Sequence, residues 1–395
     1  MSPPLDGIRV VEVAQYVAAP LAGTLLAELG ADVIKIEPPG GDAYRLTMPM
    51  APGVGRFFLP LNRGKRSVEL DLKSERGRRA LRAVLETADV VTHNSPPARA
   101  TAFGLDWDAL HAAVPRLVMG VVSSFGAEGE LAGAPAYDLV AQARSGLLTS
   151  HAAPGDIVPV RAGGIPIADL TAGFLLSTVV LAALVRAGKT GVGERVEVSL
   201  LAAALTAQIQ DLVWLADGHD GRDPLAQRSD LAERADEIAL GLALNPYYRC
   251  YEASDGFIAV ACLNLPQREA FAREFGIEDP TIAAPDLVPE EAELRELKRR
   301  LTNRVAARIA TAGAARWVDR LTELGVPSGP VHARERVALD AQIVANGFLD
   351  TVDQPGLGPT TMLGSIFGLG ERRPLRPSPE LGADTVAVLE EVGAA

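Results

Sequence analysis

The chain is short of the residues that build disulfide frameworks, metal clusters and nucleic-acid interfaces. It has two cysteines, Cys250 and Cys262, in 395 residues. Two thiols make neither a disulfide framework nor a metal cluster. They fall on consecutive predicted strands and read as buried free thiols. The five histidines, His93, His111, His151, His219 and His332, show no metal-ligand spacing, so no metal is expected. Lys and Arg number 38 against 50 Asp and Glu, for a formal net charge of −12. That balance argues against a nucleic-acid binder, and an anionic ligand would need a local basic site. Met1-Ser2-Pro3-Pro4-Leu5-Asp6 lacks the basic region and apolar run of a signal peptide. The longest uncharged stretch with a helical pattern follows Asp169. It falls short of the about 20 apolar residues a spanning helix needs and reads as a buried core helix. A cytoplasmic protein with no membrane partner is the expectation.

Several phosphate and nucleophile motifs are also missing. A dinucleotide fingerprint would place G-x-G-x-x-G after the first strand. Here the turn, Val13-Ala14-Gln15-Tyr16-Val17-Ala18-Ala19-Pro20, contains no glycine. Gly188-Lys189-Thr190 echoes a P-loop, but Ala183 stands where its first glycine belongs, and a helix precedes it instead of a strand. There is no G-x-S-x-G elbow. The arginines at 76, 78, 79 and 82 read as a solvated helix face. Chemistry is left to carboxylates, backbone groups or a motif outside these classes.

What is present is a globular chain, 48% hydrophobic and 22% charged, long enough for two domains. Strand and helix patterns alternate through the first third. Ile8 to Val13, Ala31 to Glu37, Ser67 to Leu72, Asp89 to Thr92 and Leu117 to Ser123 read as strands. Leu21, Leu25 and Leu29, the stretch Ser74 to Ala88, and Asp106 to Val114 read as helices. This alternation predicts a parallel sheet covered on both faces. Two apolar helices, Leu170–Arg186 and Leu200–Trp214, flank a short strand, Arg195 to Val198. Asp217 to Glu237 reads as a linker. Tyr247 to Leu263 reads as a β-hairpin turning at Ser254-Asp255-Gly256, followed by charged helices at Gln267–Phe275 and Glu290–Ala310. The Gly- and Pro-rich stretch from Gly325 is expected to return to the first domain.

Asp169 is the outstanding carboxylate. It follows Gly163-Gly164-Ile165-Pro166-Ile167-Ala168, and no charged side chain occurs from Leu170 to Val185. On propensity alone it is a helix N-cap. A carboxylate held at a helix start also stays ionised and is a usable nucleophile.

Read in order, several segments resemble the class III CoA-transferases of the CaiB/BaiF type. They are Leu5 to Val11, Leu29 to Glu37, Asn62 to Ser67, Ala136-Tyr137-Asp138, Gly164 to Gly173, Gly325 to Val331, and Glu380-Leu381-Gly382. The resemblance implies an α/β fold with a large Rossmann-like parallel-sheet domain built from both chain ends, a smaller α+β domain, and an interlocked homodimer. The boundaries expected are 1–200 for the large domain, 201–240 for a linker, 241–320 for the small domain, and 321–395 for a linker and return.

The resemblance makes Asp169 the covalent nucleophile moving CoA from an acyl-CoA to a carboxylic acid, with no tightly bound cofactor. Asp138 and Tyr137 are secondary catalytic candidates, Asp138 either polarising groups in the site or structuring its loop. CoA contacts carry over to Val17 and Ala18, to Asn62, Arg63, Gly64 and Lys65, to Asn94, Ser95 and Pro96, and to Pro135 through Asp138. Lys65 is the residue placed near a phosphate. Basic positions of relatives fall on Pro38 and Ala102, and Asn94-Ser95-Pro96-Pro97-Ala98 replaces Asn-Phe-Arg-Pro-Gly. The glycine-rich lid of formyl-CoA transferases is absent, which disfavours a formyl/oxalate pair. A 2-methylacyl-CoA racemase carries a histidine where this chain has Tyr137. Racemase activity, or CoA binding without transfer, remains the alternative.

Overall fold

The computed structural model describes residues 2–148, 164–210, 212, 245–284, 292–367 and 374–394. The chain divides into two compact units. One comprises Met1–Leu147, Arg161–Val213 and Ala341–Ala395; the other comprises Leu148–Val160 and Trp214–Asp340.

The first unit opens with β1 (Arg9–Val13), α1 (Ala18–Glu28), β2 (Asp32–Glu37), β3 (Pro49–Ala51), β4 (Val54–Gly55), α2 (Phe58–Asn62), β5 (Arg66–Glu69), α3 (Glu75–Leu85) and β6 (Val90–His93). It continues with α4 (Pro97–Ala102), α5 (Trp107–Ala113), β7 (Val118–Ser123), α6 (Asp138–Arg144), α7 (Ile167–Thr190), β8 (Arg195–Ser199) and α8 (Leu200–Thr206). Six strands form one sheet in the order β5-β2-β1-β6-β7-β8, every pairing parallel. Numbered along the sheet's own strands this is 3-2-1-4-5-6, the Rossmann order, whose topological switch point lies between the first and fourth strands. The crevice therefore opens between the segments that follow β1 and β6.

The strands are apolar on both faces because both faces are covered. Val10, Val33, Val90, Val118 and Val122 pack with α1, α7 and α8. Val11, Ile34, Val68, Val91 and Met119 pack on the other face with Leu81, Val84 and Leu85 of α3. Helix α7 is apolar and long enough to cross a membrane by length and composition. Its Ala172, Leu176 and Val180 are nevertheless buried in the core of the first unit, as a core helix requires. Gly173 lets it lie close to α1, since a Cβ there would stand 2.8 Å from the Ala18 carbonyl oxygen.

In the second unit, β9 (Tyr248–Ala253), β10 (Gly256–Ala261) and a third strand, β11 (Ser328–Pro330), form an antiparallel sheet. Helices α9 (Leu265–Phe275), α10 (Ala292–Ile309) and α11 (Ala314–Glu323) supply its core partners. Phe271, Phe275 and Trp317 stack in series there, and the Trp317 indole donates to the Ile309 carbonyl at 2.7 Å. Cys262 is buried, and burial pushes its thiol up to about 12. Cys250 is exposed on β9, against the expectation of two buried thiols.

The chain re-enters the first unit with α12 (Ala341–Asn346), the hairpin β12 (Leu349–Gln354) and β13 (Gly358–Leu363), and α13 (Thr385–Glu391). Asp384 at the start of α13 exchanges hydrogen bonds with the Ser67 backbone, at 2.8 and 2.9 Å. The return to the first unit begins at Ala341, and Ser328–Pro330 before it belongs to the second unit's sheet. The expected linker at 217–237 lies outside the described residues.

Candidate active site

Asp169 sits at the third position of α7, within its first turn, and is half-buried. It is not the N-cap that propensity suggests, since the helix begins at Ile167. The cap comes from elsewhere in the chain. Asp138, the first residue of α6, is buried, and its Oδ1 accepts from the Ala168 amide at 2.9 Å and the Asp169 amide at 3.3 Å. Its Oδ2 accepts from Gln142 Nε2 at 2.7 Å, one turn along α6. A helix start presents unsatisfied N–H groups with positive partial charge, and a carboxylate from a neighbouring helix answers both. Asp169 is thus carried on a first turn that Asp138 anchors.

The start of α1, just after the turn from β1, runs beside α7. Ala18 touches Gly173, four residues beyond Asp169. Asn94 closes the switch-point crevice, its Oδ1 accepting from the Gln15 amide at 3.2 Å and its Nδ2 donating to the Gln15 carbonyl at 2.7 Å. Tyr16 has a left-handed backbone, φ 71°. Its ring meets Tyr44 edge-on at 5.4 Å and Tyr137 at 5.6 Å.

Beneath this turn lies a buried charge network. Lys35 Nζ contacts Glu12 at 3.0 Å and Asp42 at 2.9 Å, and Lys65 Nζ contacts the other Glu12 oxygen at 2.8 Å. Arg45 binds both Glu37 oxygens, at 2.6 and 2.7 Å, with its guanidinium over the Phe58 ring. Three anions face three cations. Such a network adds little net stability over apolar packing, but it fixes geometry. Burial opposes charge on Lys35, yet Glu12, Asp42 and Glu37 outweigh it and raise its pKa. For Lys65 burial wins and lowers it to about 8, with Glu12 opposing. Gly23 makes room for the network, since a Cβ there would fall 1.9 Å from Glu12 Oε2.

The sequence profile of CoA-transferase family III matches residues 5–385. The chain belongs to CoA-transferase family III. It is 32% identical over 411 residues to a succinate–glutarate CoA-transferase of Agrobacterium fabrum, covering 99% of this chain and 96% of that one. A formyl-CoA:oxalate CoA-transferase of Streptomyces avermitilis is 30% identical over 379 residues, covering 94% and 90%. A CAIB/BAIF family protein from Brucella suis, known from its crystal structure, has the same fold with a TM-score of 0.77 at 27% identity, covering 99% of this chain and all of that one. The protein is an enzyme of the CoA-transferase class, and that class uses CoA thioesters.

Membership of family III does not make every carried-over residue a CoA contact. Lys65 Nζ, placed near a phosphate by the resemblance, is buried with four acceptors: Glu12, Pro20 O, Leu61 O and Asn62 Oδ1, at 2.8 to 3.0 Å. An ammonium has three protons, so none is left for a phosphate. Asn62 is fully buried, and its amide nitrogen donates to Phe58 O at 2.9 Å. Arg63 is tied to Glu28 and to Pro60 O. The Gly64 amide donates to Pro377 O at 3.0 Å. This loop braces the fold through these internal contacts. Val17 and Ala18 are buried at the start of α1. Tyr137 is exposed, and the Ala136 amide donates to Ser124 Oγ at 2.9 Å while Pro135 faces outward.

Asn94, Ser95 and Pro96 line a cavity of about 390 Å³ together with His93, Ser123 and Ala134. Tyr16, Tyr137 and Asp169 are not part of its lining. Burial, aided by the Arg195 charge, lowers His93 to about 4 from 6.5, with Glu197 opposing. Between those values the unfolded chain binds a proton that the folded chain does not. Stability therefore falls as pH drops from 6.5 to 4, by up to about 1.4 kcal/mol per pH unit. Denaturant unfolding at pH 4 to 7 is expected to show that slope, and His93→Gln to flatten it. Among the described residues no His, Cys, Asp and Glu group has the makings of a metal site.

Asp42 and Tyr16 were missed in the sequence. Asp42 follows Gly40-Gly41 and caps the turn at Tyr44, its Oδ1 accepting from the Tyr44 amide at 2.9 Å. Gly-Gly-Asp was the legible signal. Nothing in the sequence announces a left-handed tyrosine.

Proposed function

We propose that this enzyme transfers CoA from an acyl-CoA to a carboxylic acid through covalent intermediates on Asp169. The observation that carries the reading is the division of labour at the start of α7, where Asp138 takes the helix amides and Asp169 stands half-buried in the same turn. An Asp169 oxygen attacks the donor carbonyl, the C–S bond breaks, and a mixed anhydride and CoA thiolate result. The thiolate attacks the aspartyl carbonyl, giving an aspartyl-CoA thioester and releasing the donor acid. The acceptor carboxylate attacks that thioester, forming a second anhydride and thiolate. Attack of the thiolate on the acceptor carbonyl yields the new acyl-CoA and restores Asp169. Each step exchanges one activated acyl bond for another, which is the advantage of covalent catalysis. The dipole of α7 favours negative charge at this turn throughout.

The interlocked homodimer implied by the family resemblance belongs to the same proposal, and light scattering on the purified protein tests the dimer. The reaction is tested by offering an acyl-CoA with and without an acceptor acid in deuterium oxide. The expected result is new acyl-CoA that appears only with the acceptor. Exchange at the α-carbon of a 2-methylacyl-CoA without acceptor would instead indicate an isomerase. That reaction needs a proton carrier on each face of the carbon, and Tyr137 stands where the racemase histidine would be.

A further inference from the structure

Tyr16 holds a backbone conformation that an L-residue with a side chain adopts at a cost of about 1–2 kcal/mol. Glycine or asparagine would fill the same turn with less strain, so the turn itself does not call for a tyrosine. The conformation is held from below. Asp42 Oδ1 accepts from the Tyr16 amide at 3.4 Å, and Asp42 is itself fixed by Lys35 and by its own amide's bond to Glu37 at 3.0 Å. The ring is held from the sides by Tyr44 and Tyr137, and Tyr44 lies 5.7 Å from Phe57. Tyr137 and Phe57 are exposed, so the string ends in an open aromatic surface. It is close to the nucleophile by two routes: Tyr137 precedes Asp138, whose carboxylate binds the Asp169 amide, and Ala18 abuts Gly173 on α7.

We propose that Tyr16 is a specificity-determining residue whose ring, with Tyr137, seats the acyl group of the donor and favours an apolar aliphatic or aryl group over a short dicarboxylic one. The proposal rests on the reading of Asp169 as nucleophile. A second carboxylate on the acyl group needs a cation opposite it, and the three cations beneath the turn are matched by Glu12, Asp42 and Glu37. The Tyr16 phenol is held above its usual range by its contact with Tyr137 and by burial, with Asp42 adding and Arg99 opposing. It therefore meets the ligand as a neutral aromatic. Arg99 is a cation whose charge acts on it, and it supplies the competing prediction.

The test measures binding without turnover. Dissociation constants of free CoA, hexanoyl-CoA and succinyl-CoA are determined for the full-length Asp169→Ala protein and for the same protein carrying Tyr16→Gly, Tyr16→Asn or Tyr16→Phe. Glycine and asparagine accept a positive φ, so the turn survives loss of the ring. In the Asp169→Ala background hexanoyl-CoA is expected to bind about tenfold tighter than succinyl-CoA, a preference of the size an aromatic seat supplies. Tyr16→Gly and Tyr16→Asn bring the two to near equality, and Tyr16→Phe keeps the preference. Tighter binding of succinyl-CoA, lost on Arg99→Ala, overturns the proposal. So does an equal weakening of all three ligands by Tyr16→Gly, which would mean that the ring packs on the CoA arm or only braces the turn. The nucleophile reading fails on a different result, transfer activity surviving in Asp169→Ala.

Discussion

Asp169→Ala is expected to lower CoA transfer by at least about 10³-fold, the loss that follows when a covalent route is removed and only binding remains. The fold should barely notice. Asp138 satisfies the Ala168 and Asp169 amides, so the helix start keeps its cap, and the lost charge–dipole contact is worth about 0.3–1 kcal/mol. Asp169→Glu keeps the charge but moves the carboxylate by a methylene, and a misplacement of that size costs about 10²-fold. Steady-state transfer rates and thermal melts on the three proteins check both halves of the expectation. Strong destabilisation by Asp169→Ala would mean that Asp169 holds the helix start together.

Asp138 should show the opposite pattern. Asp138→Ala strips acceptors from two backbone amides and from Gln142 at a buried site, at about 2–4 kcal/mol of stability. It should also reduce transfer, because the first turn of α7 loses its anchor. Asp138→Asn separates charge from hydrogen bonding. Its amide oxygen can still accept from Ala168, and Gln142 Oε1, which has no hydrogen-bond partner among the described residues, can accept from the new amide after a side-chain flip. The asparagine variant should therefore stay within about 1 kcal/mol of the parent by denaturant unfolding and keep most of its transfer activity. A folded Asp138→Asn protein as inactive as Asp169→Ala would assign the Asp138 charge to the chemistry instead.

The alternating first third was legible because its strands are rich in Val and Ile and its helices repeat at helical spacing. Arg9–Val13 and Asp32–Glu37 lie within a residue of where the sequence puts them. The elements that escaped have compositions that hide them. Ser328–Pro330 is a strand of Ser, Gly and Pro, tolerated because it pairs on one side only, at the edge of its sheet. The Leu349–Leu363 hairpin turns through Gly356 and Gly358, both at positive φ, in a tail that reads as irregular. Asp138 and Asp169 were legible as candidate carboxylates, while Asp42 and Tyr16 were not. The Ala168 amide that Asp138 caps lies 30 residues away and the Glu12 that Lys65 meets lies 53 residues away, so no local pattern records either contact. A lysine beside a glycine turn looks the same in sequence whether it meets a phosphate or a buried glutamate.

The most direct test of the account is the intact mass of the enzyme after brief incubation with an acyl-CoA. The account predicts an adduct the mass of a CoA moiety, removed by hydroxylamine, mapped by proteolysis to the peptide containing Asp169, and absent from Asp169→Ala. An adduct that persists in Asp169→Ala, or one that maps to any other side chain, would contradict it.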